Sequence, residues 1–221
     1  MMLPTHVIFG LLLVTPAVLL FDLPAGVLYG AVIGSILPDI DLLFGVHRKT
    51  VHFPVYSLGI SVGAIILAIM YPITELFLLC GVILGFTFHS ASDVFGSGLE
   101  VHPWERTSDK AVYNHYTDSW EEPLHYLSYD GSPTDLFALL SGSGMIWIIW
   151  VNQNYIPYIR EILLISIGIG VSYTVSRRLL PKIDIWLFDN VVWMRPFLRL
   201  IRDENRTVSR EESVSQSEDN Q

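Results

Sequence analysis

Six long apolar runs, almost free of charge, govern what this 221-residue chain can fold into: residues 3–21, 25–37, 55–71, 75–88, 136–151 and 162–175. Crossing a hydrocarbon core takes about 20 apolar residues, with a range of about 17 to 25. The first, third, fifth and sixth runs meet that length with their flanks, and the second and fourth need neighbouring residues to reach it. A soluble helical core is the competing reading. It fails because too few amphipathic helices remain to cover so much apolar surface. The expected fold is therefore all-α, a polytopic membrane helix bundle of about six transmembrane helices, with a polar insert between the fourth and fifth. The first run has no basic residue before it and no small-residue cleavage site after it, so it is expected to stay as an anchored span rather than act as a signal peptide.

The polar stretches divide the chain. Residues 1–92 form an expected four-helix membrane core, and residues 93–134 a polar cytoplasmic insert rich in Trp, Tyr, His and acid. Residues 135–180 hold two further membrane helices. Residues 181–202 mix Trp and Phe with Arg, as an amphipathic segment lying at the interface does. Residues 203–221 are acidic and poor in hydrophobic side chains, which predicts disorder. With the N-terminus in the cytoplasm and six crossings, 12 of the 13 basic residues fall inside and only Arg160 outside. That is the bias the positive-inside rule asks for. The expected location is the plasma membrane, multi-pass, with both termini cytoplasmic.

Under this topology His6, Asp39, Asp41, His47, His52, His89 and Asp93 all arrive at one membrane face. The single cysteine, Cys80, forms no internal disulfide and no cysteine metal cluster, so a metal here must be held by His, Asp or Glu. In "HSASD" the i, i+4 spacing puts His89 and Asp93 on one helical face, where the pair can grip one divalent ion. In "PDID" a helix would point Asp39 and Asp41 to different faces. One is then a direct ligand, while the other serves a second ion or orients a histidine. Pro38 is placed to bend the chain and splay the two. "HRKTVH" adds His47 and His52, with Arg48 beside them to hold a phosphate oxygen. A basic loop meeting lipid headgroups accounts for Arg48 and Lys49 equally well. His6 alone reads as an interfacial polar residue, although ionisable groups within spans are rare and usually functional. The insert histidines His102, His115 and His125 are read as exposed loop polarity, and Trp104, Tyr113, Tyr116 and Trp120 as contacts to the bilayer surface from an insert lying over the metal as a lid.

A His and Asp site open to water suits metal-assisted hydrolysis, in which the metal activates a water and a carboxylate, Asp39 or Asp41, takes its proton. The expected cofactor is a divalent metal, zinc by donor type, as one or two ions. The net charge of −9 disfavours direct nucleic-acid binding. Membrane lipids are the expected partners, with a phospholipid or another phosphoester as substrate.

His6, "GSILPDID", "HRKTVH" and "HSASD", in that order over roughly the first 95 residues, resemble the membrane-bound, metal-dependent hydrolases of the YdjM type, also described as LexA-binding inner-membrane proteins. "HPWERTSDKAVYNHY" and "YDGSPTDLF" look like the haloarchaeal branch of that family, in keeping with three lysines against ten arginines. The resemblance implies a hydrolase. The motif order also looks like the all-helical zinc-dependent phospholipase C and single-strand nuclease group. That likeness implies metal roles for His6, Asp39 or Asp41, His52, His89 and Asp93. The further histidine and glutamate that serve a third zinc there have no counterpart here. Two other readings stand beside the enzyme. One is a non-catalytic membrane scaffold or regulator with a structural metal. The other is a transporter, which is weaker because transport sites lie near the bilayer midplane and these ligands lie at the rim.

Overall fold

The computed structural model describes residues 1–100, 102–151, 156–177 and 179. The expected interfacial segment 181–202 and tail 203–221 lie outside the described residues. Six α-helices carry the described chain: α1 (Leu3–Phe21), α2 (Gly26–Gly34), α3 (Pro54–Met70), α4 (Thr74–Ser92), α5 (Pro133–Trp150) and α6 (Ile159–Ser176). A six-residue 3-10 helix, Leu37–Leu42, follows α2, and a short one, Asp93–Phe95, closes α4.

Three helices are long and apolar enough to cross a membrane: α1, α4 with its extension to Phe95, and α6. This is compatible with membrane association. The other apolar runs fall outside that set. α3 has 17 residues, α5 carries Ser141 to Gly144 at its middle, and α2 has nine residues, about 14 Å of helix.

Side-chain chemistry explains where the helices start. Pro sits in the first turn of α1, α3 and α5, where its missing N–H costs nothing. At α5 the Ser132 hydroxyl accepts a hydrogen bond from the Asp135 backbone N–H at 3.2 Å. The Asp135 carboxylate in turn accepts from Thr5 Oγ1 at 2.7 Å and from the Met2 backbone N–H at 2.7 Å. One buried acid thereby ties the start of α5 to the first turn of α1 and seats His6. The apolar core lies among α1, α2, α5 and α6, around Ile8, Leu11, Leu28, Leu139, Ile146, Trp150 and Leu163.

α2 and α4 pack more extensively than any other pair. Gly30 and Gly34 of α2 face Gly81 and Gly85 of α4. A Cβ on Gly34 would lie 1.9 Å from the Val82 carbonyl oxygen, and one on Gly85 would lie 2.3 Å from that of Ala31. The two backbones are therefore in direct contact, which only glycine permits. This contact fixes the end of α2 against the end of α4, where the histidines gather.

The insert departs from an all-α reading by one two-stranded antiparallel ribbon, β1 (Val112–Asn114) with β2 (Ser119–Glu121). β1 docks on the loop before α3, since the Tyr113 backbone N–H donates to the Arg48 carbonyl at 2.9 Å. Tyr113 is buried and stacked edge-on against Trp120, with Lys49 Nζ 3.9 Å from its ring centre. Of the four aromatics expected at the bilayer surface, Tyr116 is the widely exposed one, at 73%.

Candidate metal centre

Four elements deliver the site. The first turn of α1 brings His6, the 3-10 helix after α2 brings Asp39 and Asp41, the loop before α3 brings His47 and His52, and the end of α4 brings His89 and Asp93. His6, His52, His89 and Asp93 are all buried. His6, His89 and Asp93 offer ligand atoms that all lie within 4.8 Å of one another, and so do Asp39, His52 and His89.

The far side of each imidazole ring is already committed. His52 Nδ1 donates to Asp41 Oδ2 at 2.9 Å. His89 Nδ1 donates to the Ser35 carbonyl oxygen at 2.6 Å, and a carbonyl can only accept. His6 Nδ1 meets Ser92 Oγ at 3.1 Å, and that hydroxyl gives its own proton to the His89 carbonyl oxygen at 3.2 Å. Ser92 is left as the acceptor and His6 as the donor. In its neutral form each ring thus holds its proton on Nδ1 and presents a bare Nε2. This is the outer hydrogen bonding that orients histidine ligands around a metal.

All three Nε2 atoms turn towards Asp93. His6 Nε2 lies 3.1 Å from Oδ1, while His52 Nε2 and His89 Nε2 lie 3.2 and 3.7 Å from Oδ2. None of the three, nor Asp93 Oδ2, makes a hydrogen bond among the described residues. Filling this centre with protons on every ring is unfavourable, because the His6 and His89 rings stack at 3.8 Å with 7° between their planes and two imidazolium charges would repel. His89 belongs to both groups of close donor atoms, and their imidazole nitrogens and carboxylate oxygens are the donor types an ion such as zinc accepts.

Asp39 completes the rim. Its Oδ1 lies 3.3 Å from His89 Nε2, and its side chain is 19% exposed, the most open of the convergent acids. Burial would raise its pKa, but the His89 imidazole beside it outweighs that and brings it down to about 2, so it is ionised at neutral pH.

Three expected site residues take other places. Asp41 is not aimed at the centre. Its carboxylate accepts from His52 at Oδ2 and from His47 at Oδ1, 2.8 Å away, and it lies outside both groups of close donor atoms. Burial works against its charge, and the two imidazole hydrogen bonds, His47 first, keep its pKa low. His47 lies outside both groups of close donor atoms, and its Nδ1 is bonded to Asp41. Arg48 is not presented to a substrate. It is buried, its Nη1 donates to the Ser97 carbonyl at 2.7 Å and leans on the Ala111 carbonyl at 3.4 Å, and its Nε stands 3.7 Å from Asp93 Oδ2. Burial opposes its charge, and the neighbouring carboxylates, led by Asp93, more than restore it. Among the insert histidines, His115 is half-buried, its Nε2 donating to the Lys49 carbonyl at 2.8 Å and its ring tilted over Phe53.

Sequence reasoning missed Ser35, Ser92 and Asp135, which orient the ligands or seat α1. Asp135 was findable, since "SPTD" ahead of an apolar run is a capping signature. Ser92 was half-visible inside "HSASD". The Ser35 contribution is a backbone carbonyl, which no side-chain motif marks.

His52 carries a pH prediction. Burial favours its neutral form, but the hydrogen bond to Asp41 and the charge of Asp93 3.2 Å away outweigh it and hold its pKa up at about 9. A cation at Nε2 must displace that proton at any pH below about 9. Apparent metal affinity is expected to fall about tenfold per pH unit from pH 8 to pH 6, one proton being released per ion bound. Calorimetric titration in buffers of different protonation enthalpy measures that proton, and a pH-independent affinity over this range would contradict the assignment.

No protein-family model matches this chain, and neither a curated protein nor a solved structure does.

Proposed function

We propose that this chain is an integral-membrane, metal-dependent hydrolase acting on a phosphoester, with its apolar runs forming a bundle of about six crossings and its site at the cytoplasmic headgroup level. The observation that carries the reading is the convergence of three buried Nε2 atoms, each oriented from behind through Nδ1, on the Asp93 carboxylate, His6 at Oδ1 and His52 and His89 at Oδ2. His6, His89 and Asp93, and Asp39, His52 and His89, are the two overlapping groups that would hold one or two ions, with Asp39 the most open of these donors. When bound, a divalent ion there supplies Lewis-acid chemistry, acidifying water and neutralising phosphoester charge. Asp39, ionised and partly exposed, orients the water that enters. Arg48 balances the Asp93 charge from within the protein. His6 lies in the first turn of the span-length α1, and Asp93 directly follows α4. That placement at the ends of two span-length helices favours a membrane-borne substrate, as the likeness to YdjM-type hydrolases also suggests.

One feature favours a second reading. Four nearly fully buried donors also describe a closed structural zinc site in a scaffold or regulatory protein. Elemental analysis of the purified protein, followed by assay on a phosphodiester and on phospholipid vesicles, separates the two. The enzyme reading expects one or two divalent ions per chain and hydrolysis that chelation abolishes and zinc restores. A metal-loaded protein that hydrolyses neither substrate, yet unfolds on chelation, favours the scaffold. A protein without a divalent ion overturns both.

A further inference from the structure

His47 is 30% exposed in its side chain and lies outside the convergent donor set, yet it is held as firmly as a ligand. Gly45 takes a left-handed conformation (φ +83°) where a Cβ would meet Thr50 Oγ1 at 2.4 Å. Thr50 Oγ1 accepts from the Val46 N–H at 2.8 Å, and the Thr50 N–H donates back to the Val46 carbonyl at 2.9 Å. On the other side of His47, Arg48 also has positive φ (60°) and is tethered to the Ser97 carbonyl. The turn on both sides of the imidazole is thus pinned, and His47 Nδ1 is delivered to Asp41 Oδ1 at 2.8 Å. The His47 ring stands at 90° to the His52 ring, 5.6 Å away, with the carboxylate joining them.

Resting on the metal reading above, we infer that His47 is a positioning residue for the metal centre, acting through Asp41 to fix the orientation of His52. The physical reason is the cost of a buried carboxylate with an idle oxygen. Asp41 is buried, and its two oxygens are each matched to one imidazole. If His47 is removed, Oδ1 is left unsatisfied and the carboxylate rotates or draws in water to regain a donor. Either movement shifts Oδ2, which is what holds the Nδ1 proton of His52 and aims its Nε2 at the centre. A half-exposed surface side chain thereby sets the aim of a buried ligand two hydrogen bonds away.

The test is cobalt(II) titration of the full-length, metal-free protein in detergent, read by its visible absorption, for wild type, His47→Ala, His47→Asn and Asp41→Asn. His47→Ala is expected to weaken cobalt binding by about 3- to 10-fold, the scale of one lost hydrogen bond. His47→Asn, whose amide can donate from the Nδ1 position, is expected to stay within about 2-fold of wild type. Asp41→Asn is expected to lose about 10- to 100-fold, as outer partners of metal-bound histidines do. Wild-type affinity in His47→Ala overturns the inference and leaves the metal reading standing. So does a His47→Asn protein as weak as His47→Ala, since the donor would then not be what matters. A wild-type protein that takes up no cobalt overturns the metal reading, and this inference with it.

Discussion

Asp93→Ala protein is expected to carry no divalent ion while still partitioning into membranes. Asp93 is the acid common to the contacts of all three inward histidines, with Oδ1 towards His6 and Oδ2 towards His52 and His89. Removing it takes away the one anionic donor at the middle of the set. The affinity loss is expected to exceed the roughly 100-fold upper range for outer partners, because Asp93 is a direct donor and not a support. A second effect follows from Arg48. Its guanidinium is buried 3.7 Å from the Asp93 carboxylate, and cutting one partner of a buried pair costs about 3–5 kcal/mol because the other charge is stranded. Lower metal content and a lower melting temperature should therefore appear together. Arg48→Leu in the same background is expected to recover part of the melting temperature and none of the metal. Elemental analysis and thermal unfolding of the three proteins, wild type included, check this. An Asp93→Ala protein with wild-type metal content would remove the site.

The second large effect is expected far from any charged group. Gly34→Ala adds one methyl group, placed 1.9 Å from the Val82 carbonyl oxygen and 2.7 Å from its carbon. The obstacle is helix backbone, so no rotamer change relieves it, and α2 must move off α4. The cost is expected at or above the top of the about 1–3 kcal/mol usual for overpacking. Gly59→Ala on α3 is the matched control. A Cβ there meets nothing within 4 Å, and losing a mid-helix glycine stabilises by about 0.5–1 kcal/mol. The unfolding midpoints of the two variants should move in opposite directions. Metal affinity should also fall in Gly34→Ala, because the displaced α2 carries the Ser35 carbonyl away from His89 Nδ1. Equal midpoints for the two variants would show that the α2–α4 contact is looser than described.

Which parts of this were legible in the chain depends on the range of the interactions involved. His89 and Asp93 read as a same-face pair because an i, i+4 spacing is local, and α4 runs to Ser92 with Asp93 as its C-cap, which leaves the two 3.7 Å apart. Asp39 and Asp41 were read as splayed, and a 3-10 helix beginning at Leu37 does send them apart, one to the rim and one behind His52. Nothing local tells His47 from His52, since both lie in one short loop; their roles differ only through Asp41, which comes from another element. Arg48 looked like a lipid-facing cation because the carbonyls that bury it, Ser97 and Ala111, arrive from 49 and 63 residues away. The α2–α4 contact, by contrast, was written plainly as small residues four apart in "GVLYGAVIG" and "GVILG", a spacing that marks close helix packing in apolar helices.

The interruption between α2 and the 3-10 helix has one more outcome. A helix running unbroken past Ser35 would spend that residue's carbonyl on its own ladder. Pro38 lacks the N–H that an unbroken α-helix would return to the Gly34 carbonyl, the chain turns into a 3-10 helix at Leu37, and the Ser35 carbonyl accepts from His89 Nδ1 at 2.6 Å. A break in the backbone ladder thus sits beside the carbonyl that settles which nitrogen of a buried ring carries its proton, so main-chain geometry as well as side-chain identity shapes the donor set.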